Sequence, residues 1–467
     1  MAEPGELMSS VDHAWLRMDH DDNLMMICSV LVLEKAPDRD RLADIIRTRL
    51  LAYDRFSQRV VEQGDKAWWQ DDGHFHLDNH LHYVGLPGAA DEPALQAFAS
   101  DLASTPLDHR HPLWTMHVIE QYRGGAAIIV RIHHCIADGL ALVRVLLSLA
   151  DDAADPAPAH APAPPAAHQD SLLDRIWHPA QVLVRRATDI GHELFETALD
   201  VARHPEHGRE MAERVVAMGK ELVGIGLMPG DPHTALKGRL SGRKQVAWAE
   251  PLDLAEVKAL AHAMGGTVND VLLTVAASAL RDYLDGRGES TSDAVHVAVP
   301  FNLRPLDRPI ESLGNQFGLV IVGLPVHEGD HHGRFRAVQR QMQALKVSAQ
   351  PLVFYGMLSA LGRGPEVLER TALDILSKKA SLVMTNVPGP PEPLYLAGAR
   401  VLQPLVWVPQ SGEVGVGLSI LSYAGTVQFG VIADQALVPV PAELAALYGS
   451  AFQALRDACG EGLSAGR

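Results

Sequence analysis

Positive charge is scarce in this chain. Across 467 residues, 40 lysines and arginines stand against 57 aspartates and glutamates, for a formal net charge of −17. A nucleic-acid partner would require a basic surface, because counterion release from phosphates drives that binding. Docking on anionic lipid would require one too, so both are disfavoured. Cysteine is scarcer still. Cys28, Cys135 and Cys459 are widely scattered, which fits a reducing compartment and offers no metal-type spacing. There is no HExxH pair, no Walker-type loop, and no GxGxxG following a strand. No uncharged apolar run approaches the roughly 20 residues of a membrane span. The opening MAEPGELMSS lacks a basic region followed by an apolar run, so no secretory signal is expected and a cytoplasmic location is.

What is present is an ordinary globular composition, 47% hydrophobic and 21% charged, at a length that calls for two domains. The clearest boundary is DDAADPAPAHAPAPPAAHQD, residues 151–170. Alanine and proline dominate it, and it reads as an extended linker or surface excursion. Before it, strands are expected at 26–34, 115–121 and 126–133, and helices at 41–53 and 139–150. After it comes a helical stretch, 172–199, in which Leu173, Ile176, Ala180, Leu183, Ala187, Ile190 and Leu194 share one face. That face either packs on the protein body or meets lipid. From about residue 245, α/β alternation resumes. Helices are expected at 253–264, 268–285, 333–347 and 442–456, and strands at 295–301, 317–324, 380–386, 401–407, 415–422 and 426–433. The fold class is α/β (α+β), with domains at 1–150 and 245–467 joined by a linker and connecting helices at 151–244.

The stretch RIHHCIADGL, 131–140, lies at a strand-to-helix turn, a place where chemistry is often found. Four readings compete for it. A metal site would need three or four ligands, and His133, His134 and Asp138 have no further partner cluster. A cysteine nucleophile needs a base within reach, yet Cys135 and His134 are adjacent and diverge on an extended chain. A structural histidine is always open for one of the two. The fourth reading is a general base. Imidazole titrates near neutrality, so His134 can take a proton from a hydroxyl as it attacks a carbonyl. Asp138 would then turn back to hold the loop, and Gly139 would supply backbone angles for a tight turn.

HHCIADG resembles the HHxxxDG motif of acyltransferases with the chloramphenicol acetyltransferase-like fold, which condensation domains share. Its surroundings are more specific. SSVDHAWLRMD near the N-terminus, LDHRHPLWTMHVIE (107–120), GGTVNDVLLT (265–274), VPFNLRP (299–305), LGNQFG (313–318), MTNVPGP (384–390) and LSYAGTVQFGVIAD (421–434) resemble, in order, blocks of the bacterial wax ester synthase/acyl-CoA:diacylglycerol acyltransferase family. The resemblance implies two chloramphenicol acetyltransferase-like domains with a substrate tunnel and the active site at their interface. It also implies transfer of a long-chain acyl group from acyl-CoA, a substrate and not a cofactor, to a fatty alcohol or diacylglycerol. A condensation-type enzyme using carrier-protein thioesters is the alternative.

Carried over, His134 is the base, Asp138 a structural partner, and His133 a residue that orients the turn or lines the tunnel. Arg304 is a candidate partner for Asp138. Asn269 is the first candidate for an oxyanion donor, against plain N-capping by Asn269 and Asp270. Asn386 and Ser422, with Tyr423, are candidates for polar tunnel residues, against turn or strand geometry. Pro112, Leu113 and Trp114 read chiefly as shaping the fold. GRLSGRK (238–244) and Lys378–Lys379 are candidates for CoA phosphate contact, against solvated surface. No metal is expected. Peripheral attachment to a lipid inclusion or membrane is expected through the apolar face of 172–199.

Overall fold

The computed structural model describes residues 5–155, 230–303, 313–345, 377–410 and 412–465, with 348, 350–351 and 353–355 between them. The linker beyond residue 155, the stretch 172–199 and Arg304 lie outside the described residues. In chain order the first part runs β1 (Glu6–Leu7), α1 (Ser10–Arg17), β2 (Met26–Leu33), α2 (Arg39–Ile45), β3 (Gln58–Gln63), β4 (Lys66–Asp71), β5 (Leu81–Val84), α3 (Glu92–Ala103), β6 (Trp114–Tyr122), β7 (Gly125–His133) and α4 (Gly139–Leu149). The later part runs β8 (Lys244–Trp248), β9 (Leu252–Asp253), α5 (Leu254–Ala263), α6 (Val268–Gly286), β10 (Val295–Asn302), β11 (Phe317–Leu324), α7 (His331–Leu345), β12 (Leu382–Pro388), β13 (Tyr395–Leu396), β14 (Ala399–Trp407), β15 (Val416–Tyr423), β16 (Thr426–Asp434) and α8 (Pro441–Ala465).

The chemistry of the turns explains the main strand pairings. β6 and β7 form an antiparallel hairpin whose turn residues, Arg123 and Gly124, both hold positive φ, the requirement of a two-residue turn that matches strand twist. β7 is a near-continuous apolar run, GAAIIVRIH, buried along its length. It is covered on both faces and sits centrally in a sheet of order β13-β14-β2-β7-β6-β5. The second sheet has the order β11-β10-β12-β15-β16-β8. α6 and α8 pack on it, and Tyr448 of α8 stacks on Phe429 of β16 at 3.8 Å between ring centroids. Glu6–Leu7 and the β3–β4 hairpin make a third, small sheet.

Two features bring the halves of the chain together. β14, from residues 399–407, pairs antiparallel with β2 and so extends the N-terminal sheet. At the other side, α3 lies along β8, the edge strand of the second sheet. The Ser104 hydroxyl oxygen accepts the Lys244 N–H at 2.8 Å, and the Ser100 oxygen accepts the Val246 N–H at 3.0 Å.

The elements read from hydrophobic runs fall close to their expected places. α1, α3, β5, β8 and the β3–β4 hairpin were not among them. β3, QRVVEQ, is half-buried or exposed throughout, so its composition carries no core pattern. α3 carries an alternative signal: Asp91 caps it, accepting the Ala94 N–H, and proline sits in its first turn.

Candidate active site

HHCIADG begins where β7 runs out. The His133 N–H donates to the Leu113 carbonyl at 2.9 Å, and the His134 N–H to the Met25 carbonyl at 2.8 Å. Successive residues on an extended chain face opposite ways, and the two imidazoles diverge accordingly. PLW supports this strand end by packing. Leu113 and Trp114 are buried, and the Trp114 indole N–H donates to the Phe56 carbonyl at 2.9 Å.

His133 is completely buried. Its Nδ1 accepts the Cys135 N–H at 3.1 Å, so in the neutral ring the proton sits on Nε2. That nitrogen faces the Asp19 carboxylate at 3.5 Å. Asp19 also accepts the Met25 N–H at 2.6 Å and stands 3.6 Å from His109 Nε2. Burial works against the charge on Asp19, but together these donors outweigh it and hold the carboxyl well below the usual range. His133 therefore braces the turn from behind.

His134 points the other way. Its ring stacks on Trp15, with centroids 4.2 Å apart and planes 17° apart, and Phe317 covers it at 5.3 Å. Burial in this aromatic setting pushes the imidazole pKa down to about 4, against opposing contributions from its own carbonyl, Asp138 and Asn315. The ring is neutral at pH 7.

Asp138 turns back as expected, and its carboxylate holds two backbone N–H groups among its contacts. One oxygen accepts the Ala141 N–H at 2.8 Å and caps α4. The other accepts the Gln316 N–H at 3.0 Å. Gly139 departs from expectation: it is the first residue of α4 and does not use positive φ. A Cβ there would meet nothing within 4 Å, so the glycine leaves open space beside the motif and does not make the turn possible.

The second half of the chain reaches this turn through residues 314–317. The Asn315 Nδ2 donates to the His134 carbonyl and to Asp12 Oδ1, each at 2.8 Å, and the Asn315 backbone N–H donates to the same Asp12 oxygen at 2.9 Å. The other Asp12 oxygen accepts the Ser9 hydroxyl at 2.7 Å. Gly314 has φ +131°, and a Cβ would stand 3.3 Å from Asp12 Oδ2, so this approach requires glycine. Asp12, Trp15, Asn315 and Phe317 were not singled out from sequence. They lie inside SSVDHAWLRMD and LGNQFG, but the contact between positions 303 apart is set by tertiary structure.

The remaining candidates fall into place differently. Thr267 caps α6 and forms a capping box with Asp270. Asn269 is no cap: its Oδ1 accepts from Asn386 Nδ2 at 2.7 Å. This pair lies at the C-terminal end of β12, the same end of the second sheet that presents Phe317. Ser422 accepts the Gly389 N–H at 3.3 Å through its hydroxyl and at 2.9 Å through its carbonyl. Tyr423 donates to the Val401 carbonyl at 3.0 Å and accepts the Leu394 N–H at 2.8 Å; both residues hold the loop after MTNVPGP. In the GRLSGRK cluster, Ser241 and Gly242 grip the Asp434 carboxylate. Lys244 is buried, which lowers its pKa to about 8. Lys378 is exposed. Cys135 is fully buried and its thiol is pushed well up, chiefly by desolvation.

Comparison with known proteins gives a consistent answer. Residues 8–272 match the wax ester synthase/diacylglycerol acyltransferase catalytic domain, and residues 313–456 match the WS/DGAT C-terminal domain. A Mycobacterium tuberculosis protein named "Probable diacyglycerol O-acyltransferase tgs1" is 26% identical over 452 residues, covering 94% of this chain and 93% of its own length. The O-acyltransferase WSD of Acinetobacter baylyi is 25% identical over 454 residues, covering 92% of each. In structure, the wax ester synthase/diacylglycerol acyltransferase of Marinobacter aquaeolei VT8 matches with a TM-score of 0.68 at 20% identity, over 97% of this chain and 100% of that one. The starter condensation domain of rhizomide synthetase shares the fold at a TM-score of 0.58 and 14% identity, over 98% of this chain and 95% of that one. With two family domains matched along its length, the chain belongs to the wax ester synthase/diacylglycerol acyltransferase family.

Proposed function

We propose that the protein transfers a long-chain acyl group from acyl-CoA to the hydroxyl of a fatty alcohol or a diacylglycerol, making wax esters, triacylglycerol or both, with His134 as the general base. The observation that carries this is a neutral imidazole, packed against Trp15 and Phe317, which also stack on each other, at the junction of the two halves of a chain from this family. The alcohol proton passes to the free imidazole nitrogen while the alcohol oxygen bonds to the thioester carbon. As the tetrahedral intermediate collapses, the C–S bond breaks and the thiolate takes up the proton. Little electrophilic help is needed, because a thiolate leaves readily; positioning two long chains is the larger task.

In this reading His133 and Asp138 set the turn and Gly139 leaves room beside it. Asn269, whose Oδ1 is occupied by Asn386, has its amide N–H groups available to the oxyanion. Ser422 shapes the wall. Residues 1–150 and 245–467 serve as the two lobes, with β14 donated from the second to the first. Carrier-protein thioesters, the substrates of condensation domains, are disfavoured by the match of two lipid-family domains.

The test is a product assay with palmitoyl-CoA and either hexadecanol or dioleoylglycerol, following CoA release and lipid products. His134→Ala should lower turnover by about 10²- to 10⁴-fold, the range a positioned base supplies, with the melting temperature retained. His133→Ala should cost less. Near-normal turnover in folded His134→Ala would overturn the mechanism, and the reverse ranking would assign the base to His133.

A further inference from the structure

The small three-stranded sheet at the start of the chain has two unlike faces. Side chains alternate along a strand, and the pairing of β1, β4 and β3 sets them in rows. Glu6, Trp69 and Val60 lie side by side on one face, and Leu7, Trp68 and Val61 on the other. The first face is turned to the protein. Ala67 and Trp69 are buried in the N-terminal core, and Val60 packs against it. Arg55 lies over the Trp69 ring at 4.5 Å and pairs with Glu6 at 2.7 Å. The second face is turned outward. Leu7 is 49% exposed, and Trp68 and Val61 are only half-buried. Each strand therefore adds one large apolar side chain to a single outward row. Charge is sorted in the same way. By the alternation, Glu6, Glu62 and Asp71 belong to the inner face, and Arg59, Gln63, Lys66 and Gln70 to the outer. Cross-strand bonds agree: Arg59 donates to Gln70 Oε1 at 3.2 Å, and Gln58 to Asp71 at 3.1 Å. In a chain of −17, the strands of this outer face carry two cations and no acid, and Asp65 stands at its rim in the hairpin turn.

We propose that the outer face of the β1–β4–β3 sheet is a docking surface for phospholipid-coated lipid. Leu7, Val61 and Trp68 enter below the headgroups, and Arg59 and Lys66 meet the headgroup phosphates. Three observations select this occupant. Tryptophan, at the centre of the row, has an apolar ring and a polar N–H, the combination that places it at the boundary of lipid and water. The flanking cations have long apolar stems that lie along such a surface while their charges stay in water. Their sign fits phosphate, and the acids that would repel it belong to the opposite face. Two cations are too few to hold an anionic membrane, so the apolar row supplies the affinity. The position of the sheet gives the contact a use. β1 leads directly into α1, which carries the Trp15 stacked on His134. A lipid surface seated on Leu7 therefore lies at the start of the same stretch of chain that walls the base. This inference rests on the reading that the acceptor is a fatty alcohol or a diacylglycerol, which dissolves in lipid and must be drawn from it.

The test uses the full chain and triolein droplets coated with phosphatidylcholine. The unaltered protein should float with the droplets. The triple variant Leu7→Thr, Val61→Thr, Trp68→Thr removes the apolar row and keeps residues that suit a strand. It should lower the partition onto droplets about tenfold or more, since burial of even one large side chain is worth that much. Its turnover of a short-chain acyl-CoA with a dissolved short-chain alcohol should be unchanged, while turnover of dioleoylglycerol held in the droplets falls with binding. A second measurement does not depend on the triple variant folding. Phosphatidylcholine brominated on its acyl chains should quench tryptophan emission in the unaltered protein, and most of that quenching should vanish in Trp68→Phe, which keeps an apolar ring and still binds. Failure of the unaltered protein to float, full binding by a folded triple variant, or equal quenching in Trp68→Phe would each overturn the proposal. Conversion of a dimer to a monomer by the triple variant, with droplet binding intact, would assign the face to a second copy of the chain and overturn it too. Binding through this face without ester formation from either acceptor would instead remove the proposed reaction and leave the docking surface standing.

Discussion

At the scale of single residues, burial sets the chemistry. An imidazole in water titrates near 6.5, and His134, buried against Trp15 and Phe317, is held down to about 4. Its pKa in the folded state is therefore below that of the unfolded chain. Between those values the unfolded state binds more protons, so stability rises with pH. His117, lowered to about 3 chiefly by burial and then by Arg131, acts in the same sense. The contribution of both is complete above about pH 6.5 and is lost as pH falls towards 4 and below. Melting temperature measured from pH 7 to pH 4.5 should fall in the unaltered protein, and fall less steeply in His117→Phe. Parallel curves would show that His117 is not a source of the acid sensitivity. The same burial makes Cys135 inert: its thiol stays protonated, so Cys135→Ala should keep most activity and no acyl-enzyme should accumulate with acyl-CoA alone. A trapped thioester on Cys135 would replace direct transfer with a ping-pong route.

At the scale of elements, the instructive case is α3 against β8. An edge strand presents unpaired backbone groups, and covering it is one of the ways proteins protect it. Here two serines one helical turn apart, Ser100 and Ser104, accept the outward N–H groups of Val246 and Lys244. Arg131, buried in β7, donates to the Leu102 and Thr105 carbonyls at the end of the same helix, so the N-terminal sheet, α3 and the second sheet form one connected stack. Replacing both serines by alanine strands those N–H groups at a cost of about 1–3 kcal/mol each. The double variant should melt earlier by several degrees while its KM and kcat at low temperature change little. An unchanged melting temperature would mean that water substitutes for the serines. What the sequence reading could not give for α3 is its partner, a strand 140 positions away, whereas β7 and β16 were plain because an apolar run buried on both faces needs no partner to be recognised.

At the scale of the whole molecule, charge and lipid chemistry must be reconciled. The chain carries −17, and among the described residues no single helix is long and apolar enough to cross a membrane. The proposed contact with a lipid surface would fall to apolar groups, for which screening by salt is irrelevant. Flotation with triacylglycerol droplets coated in neutral phospholipid should persist at about 1 M salt, where the Debye length is about 3 Å. Release by salt alone would show that the contact is electrostatic.

The sequence by itself determined the strand-to-helix turn that carries HHCIADG, the order of the family blocks and the run of most elements. These are local properties of periodicity, turn chemistry and capping. The resemblance of HHCIADG to HHxxxDG also singled out His134 as the proposed base. Only the tertiary structure decided what surrounds that base. Asp138 binds backbone of the second lobe, Gly139 leaves space and does not bend the chain, Asn269 meets Asn386, and Asn315 bridges Asp12 and His134. Each of these except Gly139 joins groups more than a hundred positions apart. No local pattern encodes such a contact, because it arises from the packing of two sheets and the strand they exchange.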